Sequence, residues 1–418
     1  MTIEDLGPTG SATAARGVNA SALAAGYGSF DGVTMFGYSH GLAPLPVPLP
    51  TGATDLQAMG VNDAGVVAGK YTDAEGFTQP FRYDSVANAL TSVPYLAGAS
   101  NGSAVAINQG GVVAGFTSGG VNHGFRQAGA LAAEDIGDLG GGLSSAAGIN
   151  ALNVVVGMSK DAANRFYAVR YDTSLHAMAT LGGSFSSAAA INDSGIVVGY
   201  STIGSQVVAA RWTNDTTVSS LGTLGGATSQ AWAVNLKGEV VGSSLTAAGE
   251  LHAFLWKDGA LTDLNDLLPA GSGWVLNAAY GINANDVIVG DGVLNGVQRG
   301  FRMTITWEDN ADVTAPVIAW VRASPDTLWA PNNQMVPVTL TVNASDDSGV
   351  APTCALVGLS SSDPRPGDMV MTGPMGAALR ASKSSGRERL YTLTVQCSDG
   401  AGNVSTANAT VRVPKNGK

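Results

Sequence analysis

Small and apolar residues alternate with polar ones in short runs along most of this chain, and one such run keeps returning. Residues 229–235 read "SQAWAVN", an alternation that fits a half-buried strand. "NLKG" follows, with the chemistry of a tight turn: an Asn that caps its own turn and a Gly that tolerates positive φ. "EVVGSS", "HAFLW" and "LTDLNDL" then read as second, third and fourth strands, with "KDGA" as another turn between the last two. Four short antiparallel strands in about 43 residues is the size of one propeller blade.

The turn phrase occurs seven times, always with an Asn seven residues before a Gly: Asn19/Gly26, Asn62/Gly69, Asn108/Gly115, Asn150/Gly157, Asn192/Gly199, Asn235/Gly242 and Asn283/Gly290. Successive Asn positions differ by 43, 46, 42, 42, 43 and 48 residues. A fixed phrase with drifting spacing places the phrase in packed structure and the insertions in loops. The third strand recurs as "PFRYD" (80–84), "GFRQ" (124–127), "AVRYD" (168–172), "AARW" (209–212), "AFLW" (253–256) and "GFRM" (300–303). "EDIGDLGG" (134–141), "ATLGG" (179–183) and "SLGTLGG" (220–226) read as fourth strands.

The seventh copy stops after its third strand, and the missing element, "TIEDLG", stands at residues 2–7. An open array leaves strand edges that invite aggregation, whereas a ring removes them. The expected fold is therefore all-β: a seven-bladed β-propeller over residues 1–306, closed by residues 2–7 pairing with the strand around Phe301. A linear β-solenoid is the rival, and it needs no borrowed strand.

After the repeats, residues 307–315 read as a linker. Residues 316–418 alternate in strand-like runs such as "MVPVTLTVNASD", "TCALVGLSS" and "RLYTLTVQCSD", which suggests an Ig-like β-sandwich. Both cysteines, Cys354 and Cys397, lie here, and two buried thiols or a cross-strand disulfide both fit.

The repeat phrases "HAFLW", "LGTLGG" and "AIND.G.VVG" resemble the HAF repeat of bacterial extracellular proteins over residues 1 to about 304. Copy two departs from it with "QPFRY", and copy one lacks a clear "LGG". The later segments "LWAPNNQMVPVTLTV" and "ALRASKSSGRERLYTLTVQCSDGAGNVSTANATVRV" are similar to Ig-like modules of bacterial secreted enzymes and surface proteins. These resemblances imply an extracellular or cell-surface location and carry no particular chemistry. The start, "MTIEDLGPTG", has no signal-peptide character, so a removed export signal is expected.

Composition narrows the partners. The chain has 418 residues, 56 of them Gly, and a formal charge of −11 with 21 Lys and Arg. It has no basic run, which disfavours nucleic acid, and no apolar run near the roughly 18 residues of a membrane span. A monomer without a cofactor is expected. Calcium is a possibility at "DGAGN" (399–403) with Asp346 and Asp347, although an ordinary turn explains that stretch as well.

Chemistry on a symmetric scaffold is sought where copies differ. The third-strand arginines (Arg82, Arg126, Arg170, Arg211, Arg302) and the histidines (His40, His123, His176, His252) hold repeated positions and read as framework. The residue after the repeat Gly varies instead: Tyr27, Lys70, Phe116, Met158, Tyr200, Ser243 and Asp291. It is expected to open the loop joining strands two and three, near Asp31, Tyr71, Asp73, Glu75, Lys160, Asp161, Arg165 and Trp274. Rings stack on sugar faces and carboxylates accept hydroxyl protons, so Tyr27, Lys70, Tyr71, Lys160, Arg165, Tyr200, Trp274 and Asp291 are the candidate binding residues. Two readings follow. One is a secreted or surface binding and adhesion protein that presents a propeller face to a polysaccharide or protein. The other is an extracellular polysaccharide hydrolase or lyase, with Asp31, Asp73, Glu75, Asp161 and Asp291 as the available carboxylates.

Overall fold

A computed structural model describes residues 1–7, 12–29, 35–40, 44–306, 314–329, 332–346, 351–382 and 387–415. The chain divides into two compact units, Met1–Thr306 and Trp307–Lys418. The described residues form strands and turns, with one short 3-10 helix at Leu264–Leu267. No helix among them is long and apolar enough to cross a membrane.

The first unit contains seven four-stranded antiparallel sheets among the described residues. In the sixth copy the strands are Gly225–Val234, Val240–Thr246, Leu251–Lys257 and Ala260–Asp263, paired in sequence order. The turn after each first strand is built alike. Three residues beyond the repeat Asn, the backbone adopts positive φ at Ala22, Gly65, Gly111, Asn153, Gly195, Gly238 and Asp286. The side-chain oxygen of each Asn accepts the N–H four residues on, as Asn192 does from Ile196 at 2.9 Å and Asn235 from Glu239 at 3.0 Å.

The other end of each Asn reaches the next sheet. Nδ2 of Asn19 donates to the carbonyl of Asn62, Asn62 to Asn108, Asn108 to Asn150, Asn150 to Asn192, Asn192 to Asn235 and Asn235 to Asn283, at 2.8–3.3 Å. Asn283 then donates to the carbonyl of Asn19 at 2.9 Å. The hydrogen bonds therefore run in a closed cycle. A linear stack would leave Asn19 and Asn283 at opposite ends, so the solenoid arrangement does not describe this unit.

The N-terminal strand Thr2–Asp5 lies on the open side of Val297–Thr304, with Ile3 opposite Met303 and Asp5 opposite Phe301. It is the fourth strand of the last sheet. Leu6, fully buried, packs with Val289 of that sheet and with Ala15 and Ala24 of the first. The third-strand arginines tie neighbouring sheets: Arg82 Nε donates to the Gly111 carbonyl, Arg126 Nη1 to Asn153 and Arg302 Nη1 to Ala22, at 2.7–3.1 Å. They serve the scaffold, in keeping with their repetition.

Two readings of strand boundaries need correction. The "LGG" phrase is not the fourth strand. Those strands are Glu134–Asp135, Leu175–Ala177 and Thr217–Gly222, and "LGG" leads from them towards the next sheet. The backbone turns at Gly140, Gly182 and Gly225, where φ is positive, and that breaks the ladder. In the sixth copy, "LNDL" forms the 3-10 helix because Asp263 caps it by accepting the Asn265 N–H.

In the second unit a four-stranded sheet and the three-stranded sheet Thr353–Ser361, Arg389–Ser398 and Val404–Val413 share one apolar core. Val338, Leu340 and Leu379 come from the first, and Leu356, Leu393, Val395 and Val411 from the second. Cys354 and Cys397 stand directly opposite each other and form a disulfide.

Candidate functional site

The first strand of every sheet carries a break in its pairing at the same place. The register skips between Ala15 and Gly17, Ala58 and Gly60, Ala104 and Ala106, Ala146 and Gly148, Ala188 and Ala190, Ala231 and Ala233, and Ala279 and Gly281. A β-bulge leaves one residue out of the ladder and re-aims its side chain. The seven residues so released are Arg16, Met59, Val105, Ala147, Ala189, Trp232 and Tyr280. All seven line one cavity of about 460 Å³.

The sequence holds the signal for this ring. Three residues before each repeat Asn stands the variable, released residue. The position before it is Ala in every copy, and the position after it is Gly or Ala. The small neighbours are a packing demand, since adjacent first strands run almost in contact. A Cβ added at Gly148 would meet the Ala190 Cα at 3.0 Å. Framework on both sides and free choice between them is what a ligand-facing position requires. A bulge does not show in an alternating pattern, so the position after the repeat Gly stands out in the sequence and this one does not.

The wall of the cavity is two-sided. Met59, Val105, Phe116, Ala147 and Ala189 make an apolar arc. Opposite them rings touch in a row: Trp232 lies 5.9 Å from Tyr280 and 6.0 Å from Tyr200, centroid to centroid. Tyr200 stacks on Phe185 at 5.8 Å, and Phe185 lies 5.9 Å from Phe166. The row thus leads from the cavity to the turn at residues 161–165. Trp232 is oriented by its Nε1, which donates to Ser243 Oγ at 3.1 Å. At the other end of the row the Arg16 guanidinium sits over Tyr280, 3.8 Å from the ring centre, and donates to Tyr27 Oη from Nε (3.1 Å) and Nη2 (2.5 Å). Asp291 is 8% exposed and accepts from Gln298 Nε2 at 3.4 Å. Burial pushes its carboxyl above the ordinary carboxylate range, against the opposing pull of Arg16.

Several expected site residues are placed differently. The residue after the repeat Gly does not open a loop. It lies within the second strand, which runs on through Ser29, Thr72, Ser118, Asp161, Ile203, Thr246 and Leu294 in the seven copies. From these strand positions Tyr27 and Tyr200 contact the lining residues Arg16 and Trp232, and Asp291 lies near enough to Arg16 to feel its charge. Lys70 holds the equivalent place in Val66–Thr72, opposite Gln57. Tyr71 is half-buried against the Phe81 ring at 6.4 Å, since successive strand residues face opposite sides.

The remaining candidates build turns or core. Asp73 caps its own turn by accepting the N–H groups of Glu75 and Phe77, and takes a bond from Gln79 Nε2. Glu75 is exposed in that turn. Asp161 does the same for Ala163 and Arg165, and the Arg165 N–H holds its carboxyl below the usual range. Arg165 also pairs with Asp161 through Nη2 at 2.7 Å. Lys160 lies in the strand beside them, opposite Phe166. Trp274 belongs to Trp274–Ile282, is 9% exposed and packs edge-on against Phe301. Asp399 accepts from the N–H groups of Ala401 and Asn403, which makes "DGAGN" a closed turn. No cluster of three or more metal-ligating side chains occurs among the described residues. Asp31 and Asp347 lie outside those residues.

A larger, open cleft of about 740 Å³ lies beside residues 264–273, lined by His252, Asn265 and Trp274 among others. Its histidine is held by Asp263 at 2.6 Å, as His123 is held by Asp135 at 2.9 Å in the third copy. A pairing repeated at equivalent strand positions belongs to the scaffold. The central cavity, where seven copies contribute unlike residues, is the better candidate despite its smaller volume.

No protein-family model matches the chain, and no curated protein matches it. Among solved structures, it is similar to the β-propeller domain of the Trilobed protease from Pyrococcus furiosus, with 11% identity and a TM-score of 0.46 over 72% of this chain and 99% of that one. It is also similar to TolB from Acinetobacter baumannii, with 12% identity and a TM-score of 0.36 over 71% of this chain and 64% of that one.

Proposed function

We propose that the chain is a secreted or cell-surface binding protein that takes a carbohydrate chain into the central cavity of its repeat unit. In this reading the seven sheets are the blades of a β-propeller of HAF-type repeats closed by the N-terminal strand, and residues 316–418 are an Ig-like sandwich acting as spacer or second module. The observation that carries the reading is the row Tyr200–Trp232–Tyr280, with Arg16 at its end, on one side of a cavity whose other side is apolar. Aromatic rings with a polar handle offer faces to sugar rings and donors to their hydroxyls. The bulges favour a sugar over an extended peptide. A peptide binds by adding to a regular strand edge, and every first strand is interrupted where it passes the cavity. The disulfide supports an oxidising compartment.

Calorimetry of the full chain against a panel of oligosaccharides tests this. Binding of at least one is expected, with Trp232→Ala weakening it about tenfold or more, the equivalent of a lost stacking contact of about 1.4 kcal/mol. Release of new reducing ends or unsaturated sugars by the same mixtures would replace the binding reading with the hydrolase or lyase reading. No binding across the panel would remove both.

A further inference from the structure

The charge inside the cavity runs against that of the chain. The protein carries a formal −11, yet a cation, Arg16, lines the cavity. Its Nε and Nη2 are engaged by Tyr27 Oη, and its plane rests on Tyr280. The Tyr280 side chain also interacts with the guanidinium, and no carboxylate among the described residues lies within 4.0 Å of it. Arg126, Arg165 and Arg302 each hold a carboxylate within 2.7 Å, and Arg82 spends its donors on carbonyls and Gln127, whereas Arg16 rests on two tyrosine side chains at the cavity wall. Arg16 is thus fixed in direction by two tyrosines in a site partly withdrawn from water, with Asp291 near enough to feel its charge and no described carboxylate within 4.0 Å to pair with it. A half-buried cation of this kind gains most from an anionic partner, and a planar guanidinium suits a carboxylate.

We propose that the carbohydrate bound here is acidic: a uronic-acid residue whose carboxylate accepts from the Arg16 guanidinium while its ring lies against Trp232. This rests on the carbohydrate reading above and names its substrate class. Asp291, on the neighbouring sheet, is a carboxylate whose charge would oppose such an anion. Burial pushes its carboxyl above the ordinary carboxylate range, against the pull of Arg16. The row of rings running outward through Tyr200 and Phe185 gives the following sugars a path along the chain.

The test uses oligomers of galacturonic, glucuronic and mannuronic acid, each against its fully methyl-esterified form, with the full chain in low salt. Esterification removes the charge and keeps the sugar. At least one acid form is expected to bind tenfold or more tighter than its ester. Arg16→Met is expected to bring the two forms to equal affinity, weakening the acid form tenfold or more relative to the ester, and Arg16→Lys to keep part of the preference. The wild-type comparison stands without any variant, and a thermal melt shows whether Arg16→Met is folded. Equal affinity for acid and ester, or an undiminished preference in folded Arg16→Met, overturns the acidic assignment and leaves the carbohydrate reading in place. Failure of every oligosaccharide, with retention of a peptide through its free terminal carboxylate, overturns both.

Discussion

Replacing Gly242 with alanine is expected to destabilise the repeat unit by at least about 3 kcal/mol, near the upper end for overpacking a core. Gly242 does not have positive φ, so the demand is for space. A Cβ there would overlap the Gln230 carbonyl oxygen and come within 2.7 Å of the Phe254 ring carbons. The Gln230 carbonyl, immediately before the register break, approaches the second strand too closely for any side chain. Phe254 fills the layer below and is fully buried. The same overlap recurs at Gly69, Gly115, Gly157, Gly199 and Gly290. The repeat Gly and the bulge are therefore one device: the glycine admits the carbonyl, and the break in pairing turns the next side chain into the cavity. Thermal or urea unfolding of Gly242→Ala checks the magnitude. Relaxation of Phe254 is blocked by the buried residues Leu221, Val240 and Ala231 packed around it, so little of the cost is recoverable.

Removal of residues 1–6 is expected to cost more, about 5 kcal/mol or above, which is comparable to the whole stability of many domains. The deletion removes Leu6 from a fully buried site, and a buried Leu alone accounts for about 2–5 kcal/mol. It also withdraws Met1 and Ile3 from the cluster around Met303 and Ile305, and Glu4 from its ion pair with Arg302. Val297–Thr304 then becomes an exposed edge. The expected result is a chain that aggregates on expression, with a peptide of residues 1–7 added during refolding restoring solubility. Unchanged melting of the truncated chain would contradict this account of closure.

Much of this fold is legible in the sequence because the repeat exposes it. The invariant Asn and Gly fix the turn and the second strand, and the third-strand motif fixes the next. The absent last strand reappears at the N-terminus. The second role of the Asn is not legible. Its oxygen caps its own turn, as the turn chemistry implies, but its Nδ2 reaches a carbonyl 42–48 residues on, or 264 residues back for Asn283. A contact at that range leaves no mark on the local pattern.

The candidate site was half legible. Variation at Tyr27, Tyr200 and Asp291 is visible, and these residues sit behind the lining, Tyr27 against Arg16 and Tyr200 against Trp232. Arg16, Trp232 and Tyr280 were hidden because alternation assigns a residue to one face, and a bulge breaks the alternation by one residue. Charged turn residues misled for the opposite reason. Asp73 and Asp161 look like candidate chemistry, yet each carboxylate is engaged by its own turn.

Cross-linking of the double variant Thr2→Cys and Thr304→Cys tests closure of the ring most directly. These residues are direct partners across the strand pair, at a separation that a disulfide can bridge. The native cysteines are already joined to each other, so the two introduced thiols are free to react. Mild oxidation is predicted to link them within one molecule in high yield, giving a peptide that joins the N-terminal segment to residue 304. Thiols that stay free in the folded protein, or links that form only between molecules, would show that the first strand does not complete the last sheet.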